Sequence, residues 1–487
     1  MQAEPATRSL GQTILRNSIF VSSGGGLIRL LGFAFTIYCV RTLGESAYGQ
    51  YVTALAFTAL LGTFFELGTT QYVERTLAQD RTRLPELLGR LISVRLLLAL
   101  ASVVLIPALA VALGYERIIV WCILLQTTTF VLAAVLSPLS VVLTSRERYD
   151  LSTAVLIVGQ LGSILLGTLV LWLGGGLLWL VTTGLVVMPL QIGAALYLIR
   201  SSGIGPLAFK ATLSGVQPLV RASLPFALTS LALTISFNVD TFLLSMLQPS
   251  NVVGWYGAAY RLVPTIVSLL GGFLTVITPS LARAYMNDRE AVRRWTRTTI
   301  KWLAMFGLPA AAGVSLLAPS MIALLYGDSF APSATVLAII AWDIPLRLFN
   351  AFAGNVTAAV GLEKQAWRIF MTGSLLGVLL YVPAIMGFGI IGAAVVTVAT
   401  DGINSVLFFR LLGKHLQASQ IGVLLRASAA MVVMGAAVWL AAQAAGIYVA
   451  VGVGFVTYLV LALLMGLVTR ETLHRIAGIL QPRRHAS

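Results

Sequence analysis

The sequence predicts an all-α polytopic membrane protein of about 14 transmembrane helices: two six-helix lobes related by an internal repeat, then two C-terminal helices. Three observations carry this expectation. The 487 residues are 58% hydrophobic and only 10% charged, with a mean hydropathy of +0.93, whereas soluble domains carry about 25% charged residues. Apolar runs recur along the chain, each long enough for a bilayer core about 30 Å thick, which takes about 20 residues. Finally, Arg16, Ser18, Gly49 and Tyr51 return as Arg221, Ser223, Gly254 and Tyr256, all 205 positions later. Both copies open a hydrophobic hairpin and place the Gly just before its second span. Internal repeats of this kind put a transporter's substrate path at the repeat interface, near the bilayer midplane.

The stretch Leu15–Arg75 sets the pattern. Its apolar runs, Ile14–Val40 and Tyr51–Val73, flank a polar turn, Arg41–Gln50. Each run carries a mid-span charge, Arg29 in the first and Glu66 in the second. They lie at comparable depth and could meet. The remaining spans fall near 91–114, 118–143, 153–174, 177–199, 222–247, 252–278, 300–325, 332–360, 366–388, 390–411, 421–443 and 447–468. Glycine clusters such as Gly174–Gly176 and Gly387–Gly389 mark tight hairpins between adjacent spans. The resulting division is an N-lobe at 1–199, a cytoplasmic linker at 200–221 with a short surface helix, a C-lobe at 222–411, and helices 13 and 14 with a cytoplasmic tail at 412–487. The polar start Met1–Gln12 and the long first run do not read as a cleavable signal peptide.

The net charge of +15 follows topology rather than nucleic acid. With the N-terminus inside, 27 Lys and Arg fall in cytoplasmic segments, Arg95 among them, and two, Arg41 and Arg117, on the opposite face. This asymmetry puts both termini in the cytoplasm. Three arginines remain within spans: Arg29, Arg261 and Arg347. Cys39 and Cys122 both fall near extracytoplasmic ends; a disulfide is geometrically possible, and two buried free thiols are the plainer reading. No Cys/His cluster suggests a metal.

Four acids also fall within spans: Glu66, Asp240, Asp343 and Asp401. Ionisable groups at membrane depth face a bundle interior or a water-filled cavity, and often pair. Asp343 and Arg347 stand four apart on one helix and can pair locally. Asp240 has Asn238 and Thr241 beside it and could hold H⁺ or Na⁺ as a coupling ion, or simply pair with Arg261. Asp401 has Thr397 and Thr400 nearby. Arg29 and Arg261 have fewer obvious partners, and a guanidinium fork suits phosphate, so these two, with Arg347, are the expected cavity residues for an anionic headgroup. Gly24–Gly26, inside the first span, permit either close packing or a hinge. No Walker motif, nucleophile elbow or HExxH is present, and no extracytoplasmic loop is large enough for a catalytic domain, so an enzyme is not expected.

RTLGESAYGQY at 41–51, FELGTTQYVER at 65–75, NVDTFLLSML at 238–247 and VVGWYGAAYRLV at 252–263 together resemble Wzx-type polysaccharide flippases. That family belongs to the multidrug/oligosaccharidyl-lipid/polysaccharide (MOP) exporter superfamily. The resemblance implies two lobes around a central cavity and alternating access. Its substrate would be an undecaprenyl-diphosphate-linked oligosaccharide, crossing from the cytoplasmic to the periplasmic leaflet of the bacterial inner membrane for O-antigen or exopolysaccharide synthesis. A monomer, membrane lipids as surroundings, and polymerase and chain-length proteins as partners come with it. IRLLGF at 28–33 is similar to the lipid II flippase segment whose arginine contacts the headgroup, which carries over to Arg29. A second arginine in those proteins is Phe35 here. The helix-seven coupling acid of some relatives matches Asp240, while their helix-eleven acid is missing. The alternatives are a lipid II flippase, a multidrug or cation exporter, and, from another class, a membrane-embedded polymerase or glycosyltransferase. Exporters usually stop at twelve helices and favour acidic cavities; the enzymes need a large external loop or clustered catalytic acids.

Overall fold

A computed structural model describes residues 10–203, 216–271, 289–416 and 421–466, with side chains from residue 28 onward in the first helix. The described residues are helices and short turns, with no strand among them. This is the required solution where hydrocarbon leaves backbone N–H and C=O groups no water to bond.

The continuous helix Leu10–Glu66 breaks at Gly44 (φ 74°) into α1, 10–43, and α2, 45–66. After a short helix, Thr69–Gln79, come α3 (Leu84–Ala112), α4 (Arg117–Ser145), α5 (Tyr149–Trp172), α6 (Leu177–Ser201), α7 (Val216–Leu247), α8 (Ser250–Gly271) and α9 (Arg289–Tyr326). Two pieces bent by 41°, Ser333–Ile340 and Asp343–Ala359, form α10. Glu363–Leu416 breaks at Gly389 (φ 58°) into α11, 363–388, and α12, 390–416. Ile421–Leu464 breaks at Gly446 (φ 80°) into α13, 421–445, and α14, 447–464. Fourteen helical spans therefore occur among the described residues, at the expected places.

The polar turn expected at Arg41–Gln50 is narrower than that stretch: helix runs through it except at Gly44, where a left-handed conformation that glycine adopts without strain breaks the helix in two. Gly24–Gly26 lie in unbroken helix. Of the linker, 204–215 lie outside the described residues, as do 272–288 and the tail beyond 466.

The chain forms two compact units. The first holds residues up to Gly257 with Tyr381–Ile390; the second holds Ala258–Leu380 and everything from Ile391 on. In the first, Leu87, Leu91 and Val94 of α3 pack on Leu139 and Leu143 of α4 and Ile199 of α6. Nearer the other end, Phe57 of α2 joins Ile106, Ile123 and Val181. In the second, Ala312 and Leu317 of α9 meet Met434 and Val438 of α13 and Ala450 of α14. Outward faces carry bare apolar side chains such as Trp172, Tyr197 and Leu165, which in a membrane meet lipid rather than water.

Within the first unit the two copies of the repeat touch. A Cβ on Gly49 would run into the Ser250 carbonyl, and one on Gly254 into the Glu45 carbonyl. Positions 45 and 250, like 49 and 254, are repeat equivalents, so the crossing of α2 and α8 is locally two-fold. A Cβ on Gly257 would press on its own equivalent, Val52, and Trp255 Nε1 donates to Glu45 at 2.8 Å. Gly68 (φ 60°) extends the same seam to the backbone of Ala227 in α7.

The neighbours at this crossing are backbone atoms, which cannot swing aside. Gly49→Val or Gly254→Val is expected to destabilise by about 1–3 kcal/mol or more, as overpacking does. A lowered unfolding temperature of the detergent-purified protein measures it, with Gly193→Val, where a Cβ meets open space, as the unaffected reference.

Candidate functional site

Arg29 on α1 and Arg261 on α8 are both exposed. Neither guanidinium makes an ion pair or hydrogen bond among the described residues. Each leaves all five N–H donors available to an anion.

Glu66 does not meet Arg29. Its carboxylate accepts from Arg95 Nη2 at 2.6 Å, and Arg95 Nη1 donates to Thr70 Oγ1 at 2.5 Å. Arg95, expected among the cytoplasmic basic residues, instead lies well inside α3, which begins at Leu84, and is buried, so it is the cation that reaches Glu66. The pair lines a cavity of about 300 Å³ in the first unit, together with Thr58, Thr63, Thr129 and Phe130. The sequence held a sign of this, since Arg95 follows Leu91-Ile92-Ser93-Val94 and precedes six apolar residues, Leu96–Ala101.

Asp240 on α7 is buried at 2% exposure. Tyr256 Oη donates to its Oδ2 at 2.7 Å, and the Thr241 N–H donates to its Oδ1 at 2.7 Å. The Asn238 amide instead donates to the Thr234 carbonyl. Tyr256 thus partners Asp240, and the alternative pair with Arg261 does not form among the described residues. Cys39 and Cys122 are both buried and free.

In the second unit the local pair forms and is joined by a third group. Arg347 Nε bonds Asp343 Oδ2 one helical turn away and stands 3.4 Å from Asp401 Oδ2 of α12. Arg347 Nη2 donates to Tyr260 Oη at 2.8 Å, and the guanidinium lies 5.2 Å from that ring's centre. Asn350 donates to the Asp401 carbonyl at 3.1 Å and accepts from Ser405 Oγ at 2.9 Å. Thr397 and Thr400 donate their hydroxyls to the carbonyls of Ala393 and Val396 on their own helix. Two carboxylates thus face one guanidinium, and Asp343 Oδ1 is buried with no hydrogen-bond partner among the described residues.

Removing the cation from this cluster leaves two acids at membrane depth. Arg347→Gln is expected to cost about 3–5 kcal/mol, the usual price of breaking one side of a buried pair. It should appear as lost monodisperse protein in fluorescence size-exclusion profiles. Adding Asp343→Asn to Arg347→Gln should restore most of the loss, as coupled neighbours do; purely additive losses would mean that the pair does not act as a unit.

Residues 14–285 match the family described as polysaccharide biosynthesis protein, and 225–382 match MatE. The chain is 24% identical over 275 residues to a probable low-salt glycan biosynthesis flippase, Agl15, of Haloferax volcanii, covering 54% of this chain and 58% of that protein. It is 26% identical over 246 residues to a probable lipid II flippase, MurJ, of Haemophilus influenzae, covering 46% and 47%. The alignments thus span about half the length of these curated relatives. In fold it is similar to a lipid II flippase MurJ structure in an inward closed conformation, with TM-score 0.76 and 16% identity over 91% of this chain and 98% of that one. It is also similar to an inward-facing MATE multidrug transporter of the MOP superfamily, with TM-score 0.65 and 16% identity over 81% and 96%. With more than half its length matched, this multi-pass membrane chain belongs to the polysaccharide biosynthesis protein family.

Proposed function

We propose that the protein is a flippase that moves an undecaprenyl-diphosphate-linked oligosaccharide from the cytoplasmic to the periplasmic leaflet by alternating access, for polysaccharide biosynthesis. The family match over residues 14–285 carries this reading. The relatives named as probable flippases support it. In this reading the protein sits in a bacterial inner membrane with both termini cytoplasmic, and passes its substrate on to a polysaccharide polymerase. A lipid II substrate is less favoured, because Phe35 packs against Gly167 and Leu180 where a second headgroup arginine would stand.

Arg29 and Arg261 are assigned the diphosphate, since their donors are free and hydrogen bonds to charged groups contribute about 1.5–3 kcal/mol each. Arg29→Ala or Arg261→Ala should cut polymer export roughly tenfold or more while membrane protein levels stay intact. Disappearance of the variants from the membrane would make the arginines structural and remove the assignment.

A coupling ion, H⁺ or Na⁺, is assigned to Asp240, whose carboxylate has oxygens of Thr241 and Tyr256 within hydrogen-bond distance. Ion binding to one conformation more than the other shifts their populations. Transport into vesicles should rise with an imposed pH or Na⁺ gradient in the wild type and lose that response in Asp240→Asn. A wild type indifferent to both gradients, or a variant that responds equally, rules the coupling role out.

A further inference from the structure

Apart from the charged clusters, the second unit carries an apolar groove of about 670 Å³. Its walls are Leu303 and Leu308 of α9, Trp342 and Phe349 of α10, and Val398 and Phe409 of α12. One polar residue on the wall, Ser405, donates inward to Asn350 and to the Asp401 carbonyl, so it asks nothing of an occupant. Along α12 the lining runs from Val398 to Arg410. At 1.5 Å per residue that is about 18 Å, slightly more than half of a hydrocarbon core about 30 Å thick. The groove is thus about one leaflet deep.

Its shallow end is cationic. Arg410 lines it; Lys414 stands one turn further along α12, and Arg426 lies two residues from the lining residue Leu424 on α13. All three are exposed, and none has an acidic partner among the described residues. The distribution of basic residues assigns this end to the cytoplasmic face, where anionic lipid headgroups meet such clusters.

We infer that the groove is a binding site for an anionic glycerophospholipid of the cytoplasmic leaflet. One acyl chain lies between α9, α10 and α12, and the phosphate is held by Arg410 with Arg426 near it. The one-leaflet length and the single charged end fit a phospholipid. A long polyprenyl chain would overrun the groove, and a neutral or zwitterionic lipid would leave the cations unanswered.

Native mass spectrometry of the full-length protein tests this, with phosphatidylglycerol and phosphatidylethanolamine as probes. The wild type should retain phosphatidylglycerol about fivefold over phosphatidylethanolamine, the preference that one basic residue near a membrane surface supplies. Arg410→Gln should bring the two near parity and Arg410→Lys should keep the preference. Arg200→Gln, an exposed basic residue at the end of α6, should change nothing. Val406→Trp, which fills the groove, should lose both lipids; should it fail to fold, the two Arg410 variants decide. Equal retention of both lipids by the wild type overturns the inference, as does unchanged selectivity in Arg410→Gln. So does displacement of phosphatidylglycerol by a polyprenyl phosphate, which would give the groove to the transported lipid instead.

Discussion

Two backbones in contact at Gly49 and Gly254 set the register of the first unit. In hydrocarbon an apolar side chain gains little by exchanging lipid for protein, so helices adhere through close packing and interhelical hydrogen bonds. A glycine on each side brings the main chains together, and the rest of α2 then falls in line. Phe57 meets Phe242 with ring centres 5.6 Å apart. Thr63 meets Thr234 at 3.0 Å. From Gly49 to Gly68 the seam runs on the order of 30 Å at helical rise. These contacts share one helix and one crossing point, so they stand or fall together. That the crossing joins repeat equivalents gives the duplication a physical role: each copy supplies the small residue the other needs.

The arginines at membrane depth divide into two kinds. Arg95 and Arg347 are buried and spend donors on carboxylates and hydroxyls of their own unit. Such a cluster fixes helix positions, because moving any member strands a charge in a medium that cannot solvate it. For Arg347 to reach a diphosphate, its bonds to Asp343 and Tyr260 would first have to open. Arg29 and Arg261 have no such bonds to break among the described residues. The difference lies in the partners and not in depth, which is why position along a span does not separate the two kinds.

Spans and repeat were legible because both are written locally, in runs of apolar residues and in a fixed offset. The pair Asp343–Arg347 was legible for the same reason, being one helical turn apart. Long-range partners were not. Asp401 reaches Arg347 from another helix, and Arg95 reaches Glu66 across 29 positions; no periodicity in either segment encodes these meetings. Arg95 was also hidden by its neighbours, since Arg75 to Arg90 read as one cytoplasmic basic segment and drew it in. Tyr256 was visible only as a repeat position, without the carboxylate that gives it a role. The polar stretch 41–50 marked the turn but not its extent: the helix breaks at one glycine, Gly44, and the flanking residues stay helical.

Helix α12 shows how one segment serves a polar interior and an apolar exterior at once. Val398, Gly402, Ser405 and Phe409 follow one another at intervals of three and four and line the groove, as the 3.6-residue period requires of a single face. Asp401, offset from them by one position at Gly402, turns to Arg347 instead. Ser405 belongs to both faces. It stands in the groove wall, yet its hydroxyl is drawn inward by Asn350 and the Asp401 carbonyl. That inward turn keeps the groove apolar, because a hydroxyl left facing hydrocarbon would cost a hydrogen bond's worth of free energy. The polar network therefore shapes the lipid-facing surface, and pressure on the groove wall at Ser405 bears directly on the residues that hold Asp401.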